Sequence, residues 1–228
     1  MTEPRPTLVL LRLWTLWTLA TATAWAIIPY FGWWVKGASL TSWSQIPPLA
    51  LAYGWSGVAL GAVVGVAQWG VLRVHFRFPG RWVWATAIGE GLGSPLGFVL
   101  ATSAIAWANP PLLTPKAAGL MDLAPPVELT ILFAGLLTGV VQWPVLRRVV
   151  RKERLRRGMA LWTLGTGLGE IGGFFGTRLV GGGMPLFAQS AAVGAVLGAL
   201  SGGILVLYLS LSSQQAEENQ APLPQVTS

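Results

Sequence analysis

Five stretches of this chain carry no charged residue: 13–35, 37–72, 91–115, 129–146 and 179–216. Each approaches or exceeds the ~20 apolar residues that cross a bilayer as a helix. Inside hydrocarbon every backbone N–H and C=O must find its partner within the protein, so runs of this kind fold as helices. The chain is 228 residues long, 53% hydrophobic and only 10% charged, where a soluble domain carries about 25%. Six spans are expected, at 13–35, 48–72, 82–107, 127–147, 159–180 and 186–211. Together they form one all-α integral membrane domain over residues 1–211. Residues 212–228, polar and holding Pro222 and Pro224, are expected to be a disordered cytoplasmic tail.

The placement of charge gives orientation. Arg5, Arg12, Arg73, Arg77, Arg81, Arg147, Arg148, Arg151, Lys152, Arg154, Arg156 and Arg157 flank or join the spans on one side, and only Lys36, Lys116 and Arg178 lie on the other. The excess of Lys and Arg in cytoplasmic loops puts both termini in the cytoplasm, with the domain in the inner membrane. The net charge of +7 is therefore topogenic, and no nucleic acid is expected as a partner. The segment 147–157 is expected to attract anionic lipid headgroups; docking of a cytoplasmic partner there is the other reading. Residues 8–24, ending in Ala22-Thr23-Ala24, also read as a signal peptide, although the repetition described next argues against removing them.

Gly61-x-x-x-Gly65-x-x-Gln68-Trp69-x-Val71-Leu72-Arg73 returns as Gly135-x-x-x-Gly139-x-x-Gln142-Trp143-x-Val145-Leu146-Arg147. The segment after each also returns: Trp82, Thr86, Gly89, Glu90 and Gly93 align with Trp162, Thr166, Gly169, Glu170 and Gly173. Residues 16–25 align with 161–170, which puts Trp25 in the position of the glutamate. Gly194 and Gly198 stand where Gly61 and Gly65 do, with Ser201-Gly202 in place of Gln-Trp. The expected fold is three tandem two-helix repeats in one six-helix bundle of rough three-fold pseudosymmetry.

This pattern resembles a family of uncharacterised polytopic membrane proteins of cyanobacterial and Chloroflexi-type bacteria, with repeated Gly-rich GxxQWxVLR and WVxATAxGxxxG helices. The resemblance covers most of residues 14–207. It implies the same multi-span fold and brings no assigned activity.

Glycines at Gly61, Gly65, Gly135, Gly139, Gly194 and Gly198 share a helical face at a spacing of four and let a neighbouring backbone approach. A groove for a lipid, quinone or pigment is the alternative use of such a face. Trp69 and Trp143, each four residues before an Arg, read as interfacial anchors. Glu90 and Glu170 lie eight or nine residues inside their spans, roughly 12 Å from the basic end at 1.5 Å per residue. An ionisable group at that depth is a functional candidate by default. Thr86 and Thr166 lie one turn before them, and Gln68 and Gln142 approach from the preceding spans. A buried Gln, Thr and uncharged Glu cluster is expected in each of two repeats.

No cysteine is present, and the lone His75 cannot build a metal site by itself. "GLGEIG" (167–172) imitates a dinucleotide fingerprint, but no strand precedes it and residues 185–195 hold no acid. No catalytic motif, metal or cofactor is expected, and the chain is not read as an enzyme. A scaffold or accessory subunit of a membrane complex, with a membrane-protein partner, is the first functional expectation. A small-solute or proton-coupled transporter, or its substrate-binding subunit, using Glu90 and Glu170 is the second.

Overall fold

The computed structural model describes residues 6–27, 43–75, 80–108, 127–148, 155–180 and 184–218. Among the described residues there are six long α-helices: α1 (Pro6–Ala26), α2 (Ile46–His75), α3 (Arg81–Ala108), α4 (Val127–Leu146), α5 (Leu155–Val180) and α6 (Leu186–Glu218). One 3₁₀ turn, Trp43–Gln45, precedes α2. No strand occurs among the described residues. Pro47 and Pro48 open α2, where a missing N–H costs nothing. The Pro185 carbonyl accepts from Ala188 and Gln189 N–H and starts α6.

Among the described residues, five of these helices, all but α5, are long and apolar enough to cross a membrane. Helix α5 has the length, at 26 residues, but less apolar character. Gly165, Gly167, Gly169, Gly172, Gly173 and Gly176, with Glu170 among them, lower its hydropathy. The expected six spans thus correspond to six helices, of which five have the hydropathy of a span.

Two boundaries differ from expectation. Helix α1 starts at Pro6 rather than at residue 13. Helix α6 continues to Glu218, so 212–218 is helical rather than disordered; its Gln, Ala and Glu residues are good helix formers that extend an established helix beyond the apolar run. Residues 219–228 and the basic segment 149–154 lie outside the described residues.

The helices form a ring in chain order. Each packs on its chain neighbours, and α6 closes the ring onto α1; α1 and α2 pack least closely of the six neighbouring pairs. Glycine sets the approach. A Cβ on Gly61 would stand 2.6 Å from the Thr86 carbonyl oxygen, and one on Gly65 2.9 Å from the Val83 Cα. Ascending numbers on α2 thus meet descending numbers on α3, and the pair is antiparallel. Gly135 and Gly139 of α4 meet the backbone of Gly167 and Thr163 on α5 in the same manner, and Gly194 and Gly198 of α6 meet Thr21 and Thr18 of α1. These glycine faces are filled by neighbouring helices.

Gly61→Leu is therefore expected to destabilise the fold by about 1–3 kcal/mol through overpacking. Gly70→Ala, where a Cβ meets nothing within 4 Å, is expected to be neutral or stabilising. Thermal denaturation of the two variants side by side checks this: equal melting temperatures would contradict the close-approach role of Gly61.

Candidate functional site

The interior of the ring is built in layers one helical turn apart. At the basic end Leu72, Leu146 and Leu205 are fully buried. Above them Trp17 of α1, Trp82 of α3 and Trp162 of α5 meet on the axis, each at 0% exposure. Their ring centroids are 5.9 Å (17–82), 5.9 Å (82–162) and 6.4 Å (17–162) apart, with interplanar angles of 66°, 64° and 68°. Each indole presents its positive edge to another's negative face, the preferred geometry for aromatic pairs.

An indole N–H buried in hydrocarbon needs an acceptor, and the even-numbered helices supply one. Trp82 Nε1 donates to Gln68 Oε1 at 3.2 Å, Trp162 Nε1 to Gln142 Oε1 at 3.1 Å, and Trp17 Nε1 to Ser201 Oγ at 3.0 Å. The glutamines also donate onward: Gln68 Nε2 to Thr21 Oγ1 at 3.2 Å, and Gln142 Nε2 to Thr86 Oγ1 at 2.9 Å. Each amide therefore bridges two odd-numbered helices. Ser201 is too short for this: its hydroxyl donates to its own Leu197 carbonyl at 2.7 Å. Thr166 instead reaches the Gly135 carbonyl at 2.9 Å.

One turn further in lie Glu90, Glu170 and Trp25, buried to 5%, 3% and 8% exposure. The two carboxyls are within hydrogen-bond reach of each other. Thr138 Oγ1 donates to Glu90 Oε1 at 3.1 Å, and the Glu170 carboxyl packs on the backbone of Gly135. Trp25 occupies the third position with an apolar wall of Val64 and Leu197. These groups surround a cavity of about 20 Å³, whose lining includes all six sequence candidates: Gln68, Gln142, Thr86, Thr166, Glu90 and Glu170. That is room for about one water molecule.

Contact between two carboxyl groups has a chemical requirement. An O–H···O bond needs a proton on one of them, since two carboxylates side by side in a low-dielectric interior repel strongly. The pair can therefore hold a proton between α3 and α5. Gaining or losing that proton changes the charge at the centre of the bundle by one unit.

Several expectations require correction. Two separate Gln–Thr–Glu clusters are expected from sequence; the structure has one, because ring closure brings both glutamates to the same cavity. Thr86 and Thr166 do not bond the glutamates. Their hydroxyls are taken by helix carbonyls and, for Thr86, by Gln142. Gln68 bonds Thr21 rather than Thr86. Trp143 is not an interfacial anchor: at 5% exposure it packs on Tyr208, with centroids 6.3 Å apart, above Gly158, whose lack of a side chain makes the space. Trp69 is half-buried, with the Arg73 guanidinium 4.8 Å from its ring centroid.

Sequence reading missed Thr138, Trp25 and Ser201 as members of the site and the meeting of the three tryptophans. The signal for Thr138 was its position four residues before Gln142, where α2 has Val64 and α6 has Leu197. No group of three metal-ligating side chains occurs among the described residues. No protein-family model, curated protein or solved structure matches this chain.

Proposed function

We propose that this is a non-enzymatic integral membrane protein that binds and releases a proton at the Glu90–Glu170 pair, as a proton-coupled carrier of a small solute does. The observation that carries the reading is the contact of two carboxyls, from different helices, beside a water-sized cavity in the middle of the bundle. If these groups only tied α3 to α5, two amides would do so with no proton required. Intramembrane acids are costly, and they are the usual marks of proton and ion pathways.

The same reading takes the chain as three tandem two-helix units, α1–α2, α3–α4 and α5–α6. It rests on the Trp-x-x-x-Thr of each first helix and the Gly-x-x-x-Gly of each second. The membrane is the cytoplasmic one with both termini inside, on the strength of 12 of 15 basic residues on one side. In two units the inner position holds a glutamate, and in the first it holds Trp25. The polar site is thus an asymmetric product of a near-symmetric scaffold.

A second reading, a scaffold or accessory subunit that binds a membrane-protein partner, draws on another observation. The glycine contacts are close along most of the ring, and the amide and indole groups of the core are paired. Such a bundle is well suited to rigidity.

Purified protein in liposomes carrying an internal pH dye separates the two. Under an imposed pH gradient the wild type is expected to pass protons, and Glu90→Gln with Glu170→Gln is expected to reduce the flux about tenfold or more. Equal flux from wild type, double variant and empty liposomes would discard the carrier reading, and co-purification with a partner in mild detergent would then favour the scaffold.

A further inference from the structure

We infer that α1 is the moving helix of this bundle, and that Trp17 is the gate between the basic end and the carboxyl pair. The proposal deepens the proton-handling reading, on which it rests for what the opening serves. Three observations single out α1. It packs on α2 less closely than any other neighbouring pair packs. Helix α3 offers Gly89 and Gly93 to the Thr138 and Ala134 backbone of α4, and α5 offers Gly169 and Gly173 to Leu197 and Val193 of α6. The corresponding described position of α1 is Ala24, which carries a methyl group where α3 and α5 have glycine. Finally, Trp82 and Trp162 are fastened by glutamines that also grip a threonine on a second helix, whereas Trp17 is fastened by Ser201, which grips none.

The tryptophan layer lies between the carboxyl pair and the basic end. Removing any one of its three rings would open the axis, and the ring whose acceptor bridges to no further helix, on a helix bordering the loosest seam, is Trp17. When α1 swings outward from α2, Trp17 leaves its edge-on contacts with Trp82 and Trp162. Water then reaches Thr21, one turn further in, before it reaches Thr86 or Thr166.

The absence of cysteine makes this testable. Thr21, Thr86 and Thr166 occupy matching positions on α1, α3 and α5, at 0%, 1% and 5% exposure, so the resting structure predicts equal, slow modification at all three. Single variants Thr21→Cys, Thr86→Cys and Thr166→Cys in liposomes are treated with a small water-soluble methanethiosulfonate. Thr21→Cys is expected to react about tenfold faster than the other two, through local opening. Adding Ser201→Gln, which supplies the missing clasp, is expected to bring it to within about twofold of them. Equal rates for the three cysteines, or fastest reaction at Thr86→Cys or Thr166→Cys, would overturn the inference.

Should a cysteine variant fail to fold, hydrogen–deuterium exchange on the unaltered protein gives the same test. Amides of residues 14–24 should exchange faster than those of 82–90 and 162–170, and the reverse order refutes the gate. Neither readout requires proton flux. Labelling repeated in the Glu90→Gln, Glu170→Gln background therefore lets the gate and the carrier reading fail separately.

Discussion

Trp162→Ala is expected to lower the stability of the folded protein by about 3 kcal/mol or more. The indole has no exposed surface, touches the rings of Trp17 and Trp82 and donates to Gln142. In a bilayer the transfer of apolar surface from water contributes little, so the loss is one of packing. It also leaves Gln142 Oε1 without its donor, at a further cost of about 1–3 kcal/mol for a buried acceptor. Trp84→Ala, on the exposed face of α3 at 69%, removes an equally large side chain that lipid replaces. It is expected to change stability by about 0.5 kcal/mol or less. Melting temperatures in one detergent give the comparison. If the two variants melt together, the tryptophan layer is not a packed centre.

The second large effect concerns charge. Glu90→Lys combined with Glu170→Lys puts two ammonium groups in contact at the middle of the bundle. Each costs about 2.5–3.5 kcal/mol at a helix centre on insertion scales, before their mutual repulsion, so the double variant is expected not to accumulate in the membrane. Glu90→Gln with Glu170→Gln keeps shape and hydrogen bonding without charge and is expected to accumulate normally and melt within a few degrees of the wild type. Glu170→Lys alone faces Glu90 and should be intermediate, since one ion pair replaces one shared proton. Membrane yield and melting temperature of the three variants decide it. A double-glutamine protein as poorly recovered as the double-lysine one would mean that the carboxyls are needed for folding itself.

Much of this arrangement is legible in the chain because it is local. The depth of Glu90 and Glu170 follows from counting residues from Arg81 and from the basic segment before α5. The shared face of Gly61 and Gly65 follows from a spacing of four. What escapes is set by other helices. That Glu90 and Glu170 share one cavity depends on how the ring closes, which no spacing within either helix contains. Trp82, one residue from Arg81, and Trp143, four residues from Arg147, carry the same interfacial signature as Trp69. Burial of Trp143 is decided by Gly158 and Tyr208 on two other helices. Thr138 becomes a partner of Glu90 only through the register that Gly89 and Gly93 allow between α3 and α4.

The seam between α1 and α6 has a consequence for biogenesis. Trp14 Nε1 donates to the Ala199 carbonyl across 185 residues of sequence, and Trp17 reaches Ser201 across 184. A nascent chain delivers its helices in order, so α1 is released into the bilayer first and receives its closest neighbour last. Through most of synthesis the indole N–H groups of Trp14 and Trp17 lack their final acceptors. The face of α1 that Gly194 and Gly198 will cover stays open to lipid or to an insertion factor. Ring closure by α6 is thus the step of highest contact order, and a ribosome stalled before α6 should leave α1 as the helix most readily captured by a chaperone or extracted for degradation.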